Sequence, residues 1–288
     1  MEIRIENLQM RYGVKEVLSI EHLRFEQGKT YGLVGHNGAG KTTLFKSITN
    51  IIATYSGDIF IGDANVKEDN KVLLNVGIVL DGMSVYQDHT GWFNILYFSG
   101  LRGEHHEEEA RRLAVELDLL EALEEKVSNY SYGMQKKLIL LIALLHNPKI
   151  LILDEPFRGL DLKTVAWFKE YLKALTKNGQ TLLISSHVQN DLETLCDEVV
   201  VIDKGRILES IDLVEERKTA VRLLLTSDNH GVATILKEYN FPFQMNKEGL
   251  IKLDTANPLW MEVYHQLYSQ EIMITEMSKA PVLADKLN

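Results

Sequence analysis

The stretch that decides the fold is Gly-His-Asn-Gly-Ala-Gly-Lys-Thr-Thr at residues 35–43. It matches the phosphate-binding pattern G-x-x-x-x-G-K-[ST]. The apolar segment 30–34 before it predicts a strand, and residues 41–50 after it predict a helix. A phosphate-binding loop needs this strand–loop–helix setting, because the helix N-terminus then faces the anion. The sequence therefore predicts an α/β fold with a phosphate site, and the setting makes a chance match in a glycine-rich loop the weaker interpretation.

The backbone of this loop is expected to do most of the phosphate binding. Glycines let the chain curl tightly, so that successive N–H groups point at phosphate oxygens. The helix that follows adds the partial positive charge of its N-terminus. The loop residues predicted to contact the nucleotide in this way are Gly35, Asn37, Gly38, Ala39 and Gly40.

Three side chains complete the loop. Lys41 is long enough to reach the β- and γ-phosphates, and its charge gives it a catalytic as well as a binding role. The Thr42 hydroxyl is a candidate Mg²⁺ ligand, since Mg²⁺ takes oxygen ligands and phosphates. Thr43 is a further candidate phosphate contact.

Two carboxylates stand where a second buried strand ends. Residues 150–155 are Ile-Leu-Ile-Leu-Asp-Glu, and ligands bind at the carboxyl ends of strands in α/β sheets. Asp154 is the candidate that holds Mg²⁺, and Glu155 is the candidate general base that activates the attacking water. The alternative, a solvated acidic pair in a turn before Pro156, is disfavoured by the four apolar residues that precede it.

Composition limits the remaining classes of function. The 288 residues carry 31 basic and 41 acidic side chains, a net charge of -10, which argues against a nucleic-acid-binding face. Cys196 is the single cysteine, so no internal disulfide forms, in keeping with a reducing cytosol. No apolar run approaches the roughly 20 residues that span a bilayer. Any membrane role therefore requires a separate partner chain.

Two domains are predicted. Residues 1–212 interleave strands and helices, which favours a parallel or mixed sheet covered on both faces, with a mostly helical stretch at about 84–147. Residues 2–10 alternate like an edge or half-buried strand. The charged segment 215–218 is a candidate linker. Residues 213–288 predict a small α+β domain in β-α-β-β-α-β order, for which a ferredoxin-like fold is the candidate.

With these residues in order, the chain resembles the nucleotide-binding subunits of ATP-binding cassette (ABC) transporters over about residues 1–210. The resemblance implies a P-loop NTPase fold of ABC type, with a mixed-sheet core and a helical subdomain. It identifies Tyr130–Gln135 as similar to the signature motif, in which Ser131 and Gly133 contact the γ-phosphate of ATP held by the opposing subunit. Tyr132 and Met134 depart from the common Leu-Ser-Gly-Gly-Gln form; a Tyr-Ser-x-Gly-Met form is familiar among exporters. On the residues alone, Ser131 is a helix cap.

The resemblance implies roles for four further positions. Tyr12 would stack on adenine, although a tyrosine packed in a turn explains it equally well without the family. His187 matches the switch histidine at the γ-phosphate. Asp81 stands where the family usually has a metal-contacting glutamine, and is a candidate Mg²⁺ ligand or a plain turn residue. In Arg158-Gly159-Leu160-Asp161, similar to the D-loop, Arg158 replaces a small polar residue.

The implied function is ATP hydrolysis with Mg²⁺, driving export of a small molecule or peptide through a transmembrane permease. One chain carries one phosphate loop and one signature, so the resemblance implies a homodimer or a heterodimer of cassettes, with ATP between them. The location implied is cytoplasmic, peripheral on the inner face of the cell membrane. Two alternatives stay open: a soluble ABC-type ATPase acting on a non-membrane partner, and a GTPase or small-molecule kinase, in which His187 and the signature have no role.

Overall fold

A computed structural model of the chain describes residues 1–103, 106–246, 248–280 and 282–283. It divides into two compact units, Met1–Asp212 and Leu213–Asn288. Among the described residues, no helix combines the length and the apolar character needed to cross a bilayer.

The first unit contains two sheets. One is antiparallel, in the order β2-β1-β4-β5, and the other is mixed, in the order β10-β9-β3-β8-β7-β6. The strands of the antiparallel sheet are β1 (Ile3–Tyr12), β2 (Lys15–Phe25), β4 (Tyr55–Ile61) and β5 (Ala64–Asn65). The strands of the mixed sheet are β3 (Thr30–Val34), β6 (Val76–Val79), β7 (Ile150–Asp154), β8 (Thr181–Ser185), β9 (Glu198–Asp203) and β10 (Arg206–Asp212).

The centre of the mixed sheet is buried on both faces, as predicted. Every residue of β3, β7 and β8 is buried, and these strands run parallel, as covered α/β sheets do. The helices of this unit are α1 (Lys41–Ile48), α2 (Gly91–Gly100), α3 (Glu107–Glu116), α4 (Tyr132–Leu144), α5 (Leu162–Lys177) and α6 (Gln189–Leu195). One apolar core joins both sheets to α1; it includes Ile3, Ile5, Leu33, Leu44, Phe45 and Ile152.

The predictions about this unit can be compared with the structure. The strand predicted at 2–10 as an edge or half-buried strand is half-buried, and β1 is not an edge because it lies between β2 and β4. The strand β2 has no counterpart in the prediction, since its alternation of apolar and polar residues fails after Glu21. The stretch predicted as mostly helical contains α2, α3 and α4, with two 3₁₀ turns between α3 and α4, Leu120–Glu124 and Val127–Asn129. Residues 104 and 105 of that stretch lie outside the described residues.

The second unit follows the predicted β-α-β-β-α-β order. Its strand order is β12-β13-β11-β14 with antiparallel neighbours, the arrangement of a ferredoxin-like sheet. Leu224, Val232, Leu236, Ile251 and Val263 belong to its own apolar core. Its elements are α7 (Leu213–Glu216), β11 (Val221–Thr226), α8 (Asn229–Glu238), β12 (Phe243–Met245), β13 (Ile251–Asp254), α9 (Trp260–Ser269) and β14 (Ile274–Lys279).

The candidate linker at 215–218 begins inside the short helix α7. The last strand, β14, begins only at Ile274, because Glu271 has a left-handed backbone with φ of 58° that follows the end of α9. A residue of this kind ends a helix and delays the next strand.

Candidate active site

The phosphate loop is held open for an anion by its own backbone. The loop leaves the buried strand β3 and enters α1 through Gly40, whose φ of 115° suits glycine. No side chain caps the first turn of α1, so its N–H groups face the loop. A Cβ on Gly35 would lie 2.1 Å from the Ile202 carbonyl oxygen, whereas a Cβ on Gly38 would meet nothing within 4 Å. Gly35 is therefore packed against β9, and Gly38 borders open space.

Lys41 lies inside the curl of the loop. The residue is 8% exposed, and its Nζ donates to the carbonyl oxygens of Gly35 at 2.6 Å and His36 at 3.3 Å. Burial lowers the pKa of Lys41, against the attraction of Glu155 and Asp154. The positive charge of Lys41 thus lies within the loop, where the hydrogen-bond partners of its ammonium group are neutral backbone carbonyls.

Asp154 and Thr42 supply adjacent oxygen atoms at the ends of β7 and the phosphate loop. The Thr42 hydroxyl donates to Asp154 Oδ2 at 2.6 Å, and the Ser185 hydroxyl donates to Asp154 Oδ1. Asp154 is 3% exposed. A hydroxyl beside a buried carboxylate is a donor set of the hard oxygen type that Mg²⁺ takes together with phosphates and water. These residues therefore fit the predicted metal.

Glu155 has the environment of a general base. Its backbone is left-handed, with φ of 48°, a strained conformation that is enriched at functional sites. Its amide donates to the Ser185 carbonyl oxygen at 3.2 Å. Its Oε1 is buried without a hydrogen bond and lies 3.3 Å from His187 Nε2. Burial raises the pKa of Glu155, although His187 opposes the shift. A carboxylate with a raised pKa is a better proton acceptor from water.

One cleft of about 570 Å³ gathers most of the predicted residues. Tyr12 lies at its rim and is 57% exposed, as an adenine-stacking ring needs to be. Lys15 and Val17 of β2 also line the cleft; the sequence reasoning missed both because it missed that strand. The predicted residues that share the lining are Tyr12, Asn37, Gly38, Gly40, Lys41, Thr42, Thr43, Asp81, Asp154, Glu155 and His187.

Two predicted loop residues lie under the loop and not in the lining. Ala39 is 4% exposed, its amide donates to the His36 carbonyl oxygen at 3.0 Å, and its own carbonyl oxygen accepts from Gly205 at 2.8 Å. Gly35 is packed on Ile202 as described. Both shape the loop from beneath.

The signature residues stand apart from this cleft. Ser131 caps α4, its hydroxyl oxygen accepting from the Met134 amide at 3.2 Å, and neither Ser131 nor Gly133 lines the cleft of its own chain. A Cβ on Gly133 would lie 2.8 Å from the Gly159 carbonyl oxygen, and a Cβ on Gly159 would lie 2.4 Å from the Tyr132 ring. The start of α4 is therefore packed directly on the loop after β7.

An ion pair strengthens the same contact. Lys137 of α4 lies 2.8 Å from Asp161 Oδ2, and Asp161 also caps α5 by accepting from the Thr164 amide at 2.9 Å. The Lys137 side chain, 9% exposed, holds the pKa of Asp161 well below its usual range. The signature and the loop Gly159–Asp161 are thus joined within one chain.

Comparisons with known proteins decide the family. The ABC transporter domain family matches residues 18–158. An ABC transporter ATP-binding protein of Bacillus subtilis strain 168, YdbJ, is 30% identical over 274 residues, covering 94% of this chain and 89% of that protein. This chain belongs to the ABC transporter ATP-binding family. It is an ATP-binding cassette with ATPase activity.

Two further comparisons, one with a protein sequence and one with a solved structure, support the same family. The bacitracin transport ATP-binding protein BcrA of Enterococcus faecalis is 30% identical over 281 residues, covering 96% of this chain and 91% of that protein. A solved structure of an ATP-binding subunit of an ABC transporter superposes with a TM-score of 0.69 at 25% identity, covering 76% of this chain and 92% of that chain. The ABC fold and the predicted resemblance are thereby confirmed.

Proposed function

We propose that this cassette is the cytoplasmic ATPase subunit of an exporter, peripheral on the membrane and working through a separate transmembrane partner. The observation that carries the proposal is that the catalytic cleft and the signature residues of one chain lie apart. The phosphate loop, Glu155 and His187 share one cleft, whereas Ser131 and Gly133 lie outside it. A second cassette facing the first would bring its signature to that cleft, so hydrolysis would require a dimer.

Within each cleft we assign the chemistry residue by residue. Lys41 and the loop amides bind the phosphates of ATP, and Tyr12 stacks on adenine. Glu155 accepts the proton of the attacking water, and His187, paired with it at 3.3 Å, keeps the carboxylate oriented. Thr42 and Asp154 would hold Mg²⁺, with Asp81 as a further candidate. When bound, Mg²⁺ neutralises charge on the transferring phosphoryl group.

An apolar groove on the surface of the cassette supports the proposal of a transmembrane partner. A cavity of about 370 Å³ lies beside the segment 82–90, and its lining includes Leu73, Leu74, Met83, Phe98, Leu101 and Ile142. Beside it lie aromatic rings in contact. His89 and Phe93 are stacked with centroids 4.0 Å apart, and Tyr86 and Tyr97 meet edge to face with centroids 5.1 Å apart. Exposed apolar patches of this kind mark interaction sites. The occupant that we propose is a cytoplasmic helix of the permease, because the groove adjoins the loop after Asp81 that opens on the ATP cleft.

The names of the relatives favour export of an antibiotic-like compound. BcrA is a bacitracin transport protein, and LnrL from Bacillus subtilis strain 168, 31% identical over 210 residues, is a linearmycin resistance protein. The second candidate function, an ABC-type ATPase with a non-membrane partner, predicts that the chain co-purifies with a particle that contains no membrane protein.

The experiment is co-purification of the tagged chain with the membrane protein encoded beside it. Leu101→Glu, in the groove, should abolish association and leave ATP binding unchanged. Leu208→Glu is the matched control, since both leucines are 65% exposed and Leu208 lies on β10 outside the groove. Association that survives Leu101→Glu as well as it survives Leu208→Glu would contradict the docking surface. Stable association with ribosomes would contradict export.

A further inference from the structure

We propose that Arg158 binds the γ-phosphate of ATP and that Asp81 orients it, so that this pair sets the preference of the cleft for ATP over ADP. The inference rests on the ATP site proposed above and adds to it a residue that determines specificity. It concerns Asp81 and Arg158, two of the positions at which the sequence departs from its family.

The fold brings these two departures together. Asp81 follows β6 and Arg158 follows β7, two neighbouring parallel strands in which Val79 pairs with Leu153. Their carboxyl ends therefore meet at the same edge of the sheet. Arg158 Nη1 lies 3.9 Å from Asp81 Oδ2, and both side chains line the cleft that holds Lys41.

Arg158 stands on the side of the cleft assigned to hydrolysis. Its amide donates to the Glu155 carbonyl oxygen at 3.4 Å, and Glu155 is itself paired with His187. The loop amides face the phosphates that ATP and ADP share, and Lys41 is long enough to reach from the β-phosphate to the γ-phosphate. The Arg158 side chain lines the same cleft as Glu155 and His187, and its cation is therefore placed to reach the additional phosphate of ATP.

The pair is loose enough to exchange partners. The side chains of Arg158 and Asp81 are 68% and 53% exposed, and an exposed ion pair contributes at most about 1 kcal/mol. A guanidinium that meets phosphate oxygens can form two parallel charge-assisted hydrogen bonds, which are the stronger contact. The geometry thus favours transfer of Arg158 from the carboxylate to the phosphate when ATP is present.

A second cation explains why a carboxylate is tolerated next to a polyphosphate. Lys136 of α4 is 6% exposed, and among the carboxylates around it the strongest attraction is to Asp81, followed by Asp154 and Glu155. Burial lowers the pKa of Lys136, and Asp81 opposes that shift most. The Asp81 carboxylate is therefore attracted by Lys136 as well as by Arg158, and its charge stays partly compensated after Arg158 turns to ATP.

The test is isothermal titration of the isolated chain with ATP and with ADP, in EDTA so that hydrolysis does not occur. Arg158→Ala should weaken ATP binding about ten-fold, the loss of one charge-assisted contact, and change ADP binding less than about two-fold. Arg158→Lys should recover only part of the ATP affinity, because an ammonium lacks the planar fork. Thermal melting of each variant confirms folding.

Arg206→Ala is the matched control. Its side chain is also 68% exposed and lies 3.7 Å from Glu16, but it does not line the ATP cleft, so both affinities should stay unchanged. Asp81→Asn should raise ATP affinity by up to about five-fold with Arg158 present, and less in the Arg158→Ala background.

Equal losses for ATP and ADP in Arg158→Ala, or no loss for either, would overturn the inference. Equal effects of Asp81→Asn in both backgrounds would overturn the orienting role of Asp81. A cassette that shows these affinities but never associates with a membrane protein would instead overturn the proposed export function, since the titrations need no partner.

Discussion

Replacing Glu155 by glutamine isolates the proton-accepting step. The substitution keeps the size of the side chain and its contact with His187, but an amide cannot accept a proton from water. A positioned general base contributes about 10²- to 10⁴-fold, so we expect the rate of ATP hydrolysis to fall by that factor. ATP binding should persist, because Lys41 and the loop amides are untouched. The expected product is a dimer that retains ATP.

The same variant should be more stable than the parent near neutral pH. Burial raises the pKa of Glu155 above its ordinary value of 4.5, so the folded state binds the proton more tightly than the unfolded state does. Stability therefore falls as pH rises from about 4.5 through the folded pKa. Glutamine carries no charge to bury, so its advantage should be present above the folded pKa and vanish below about 4.5. The left-handed backbone is retained and contributes equally to both proteins.

Three measurements check this reasoning. Phosphate release gives the hydrolysis rate, size-exclusion chromatography with ATP gives the dimer, and urea unfolding between about pH 4 and 8 gives the stability difference. Glu170→Gln is the control, because Glu170 lies on α5 with its side chain 73% exposed. If Glu155→Gln hydrolyses ATP at the rate of Glu170→Gln, Glu155 is not the base. A stability gain that is constant across this range would refute the burial argument.

Further predictions concern the scaffold of the site. Gly35→Ala places a methyl group 2.1 Å from the Ile202 carbonyl oxygen, so it should lower the free energy of unfolding by about 1–3 kcal/mol and weaken ATP binding in titration. Asp161→Ala removes a helix cap and should cost about 0.5–2 kcal/mol by urea denaturation; because the pKa of Asp161 is depressed, that contribution should fade as the pH falls below about 3.9. Thr42→Val removes the hydroxyl 2.6 Å from Asp154 and should raise the Mg²⁺ concentration needed for half-maximal hydrolysis, with Mg²⁺-free ATP binding retained.

Local patterns predicted the centre of the fold well. The strands β3 and β7 were predicted because continuous apolar runs bounded by polar turns are typical of buried parallel strands. The phosphate loop and the Asp154–Glu155 pair were found because each is contiguous in sequence. The strand β2 was missed because two consecutive exposed residues, Glu21 and His22, interrupt its alternation before Leu23 and Phe25 return to the core. The alternation of β1 predicted an edge or a half-buried strand, and the structure shows the second; a single strand carries no information about how many neighbours pair with it.

The sequence by itself determined the ABC family, the phosphate loop and Glu155, the acid that follows β7. Each of these depends on a short contiguous motif, and such a motif adopts a characteristic backbone geometry wherever it occurs. Only the tertiary structure decided how distant residues act together. It placed His187 3.3 Å from Glu155. It also showed that the signature residues do not line the ATP cleft of their own chain. It also paired Asp81 with Arg158, two unexplained departures that are far apart in sequence. The physical reason is that parallel strands bring the loops at their carboxyl ends to one edge of the sheet, and charge compensation between such loops depends on distances that no local pattern encodes.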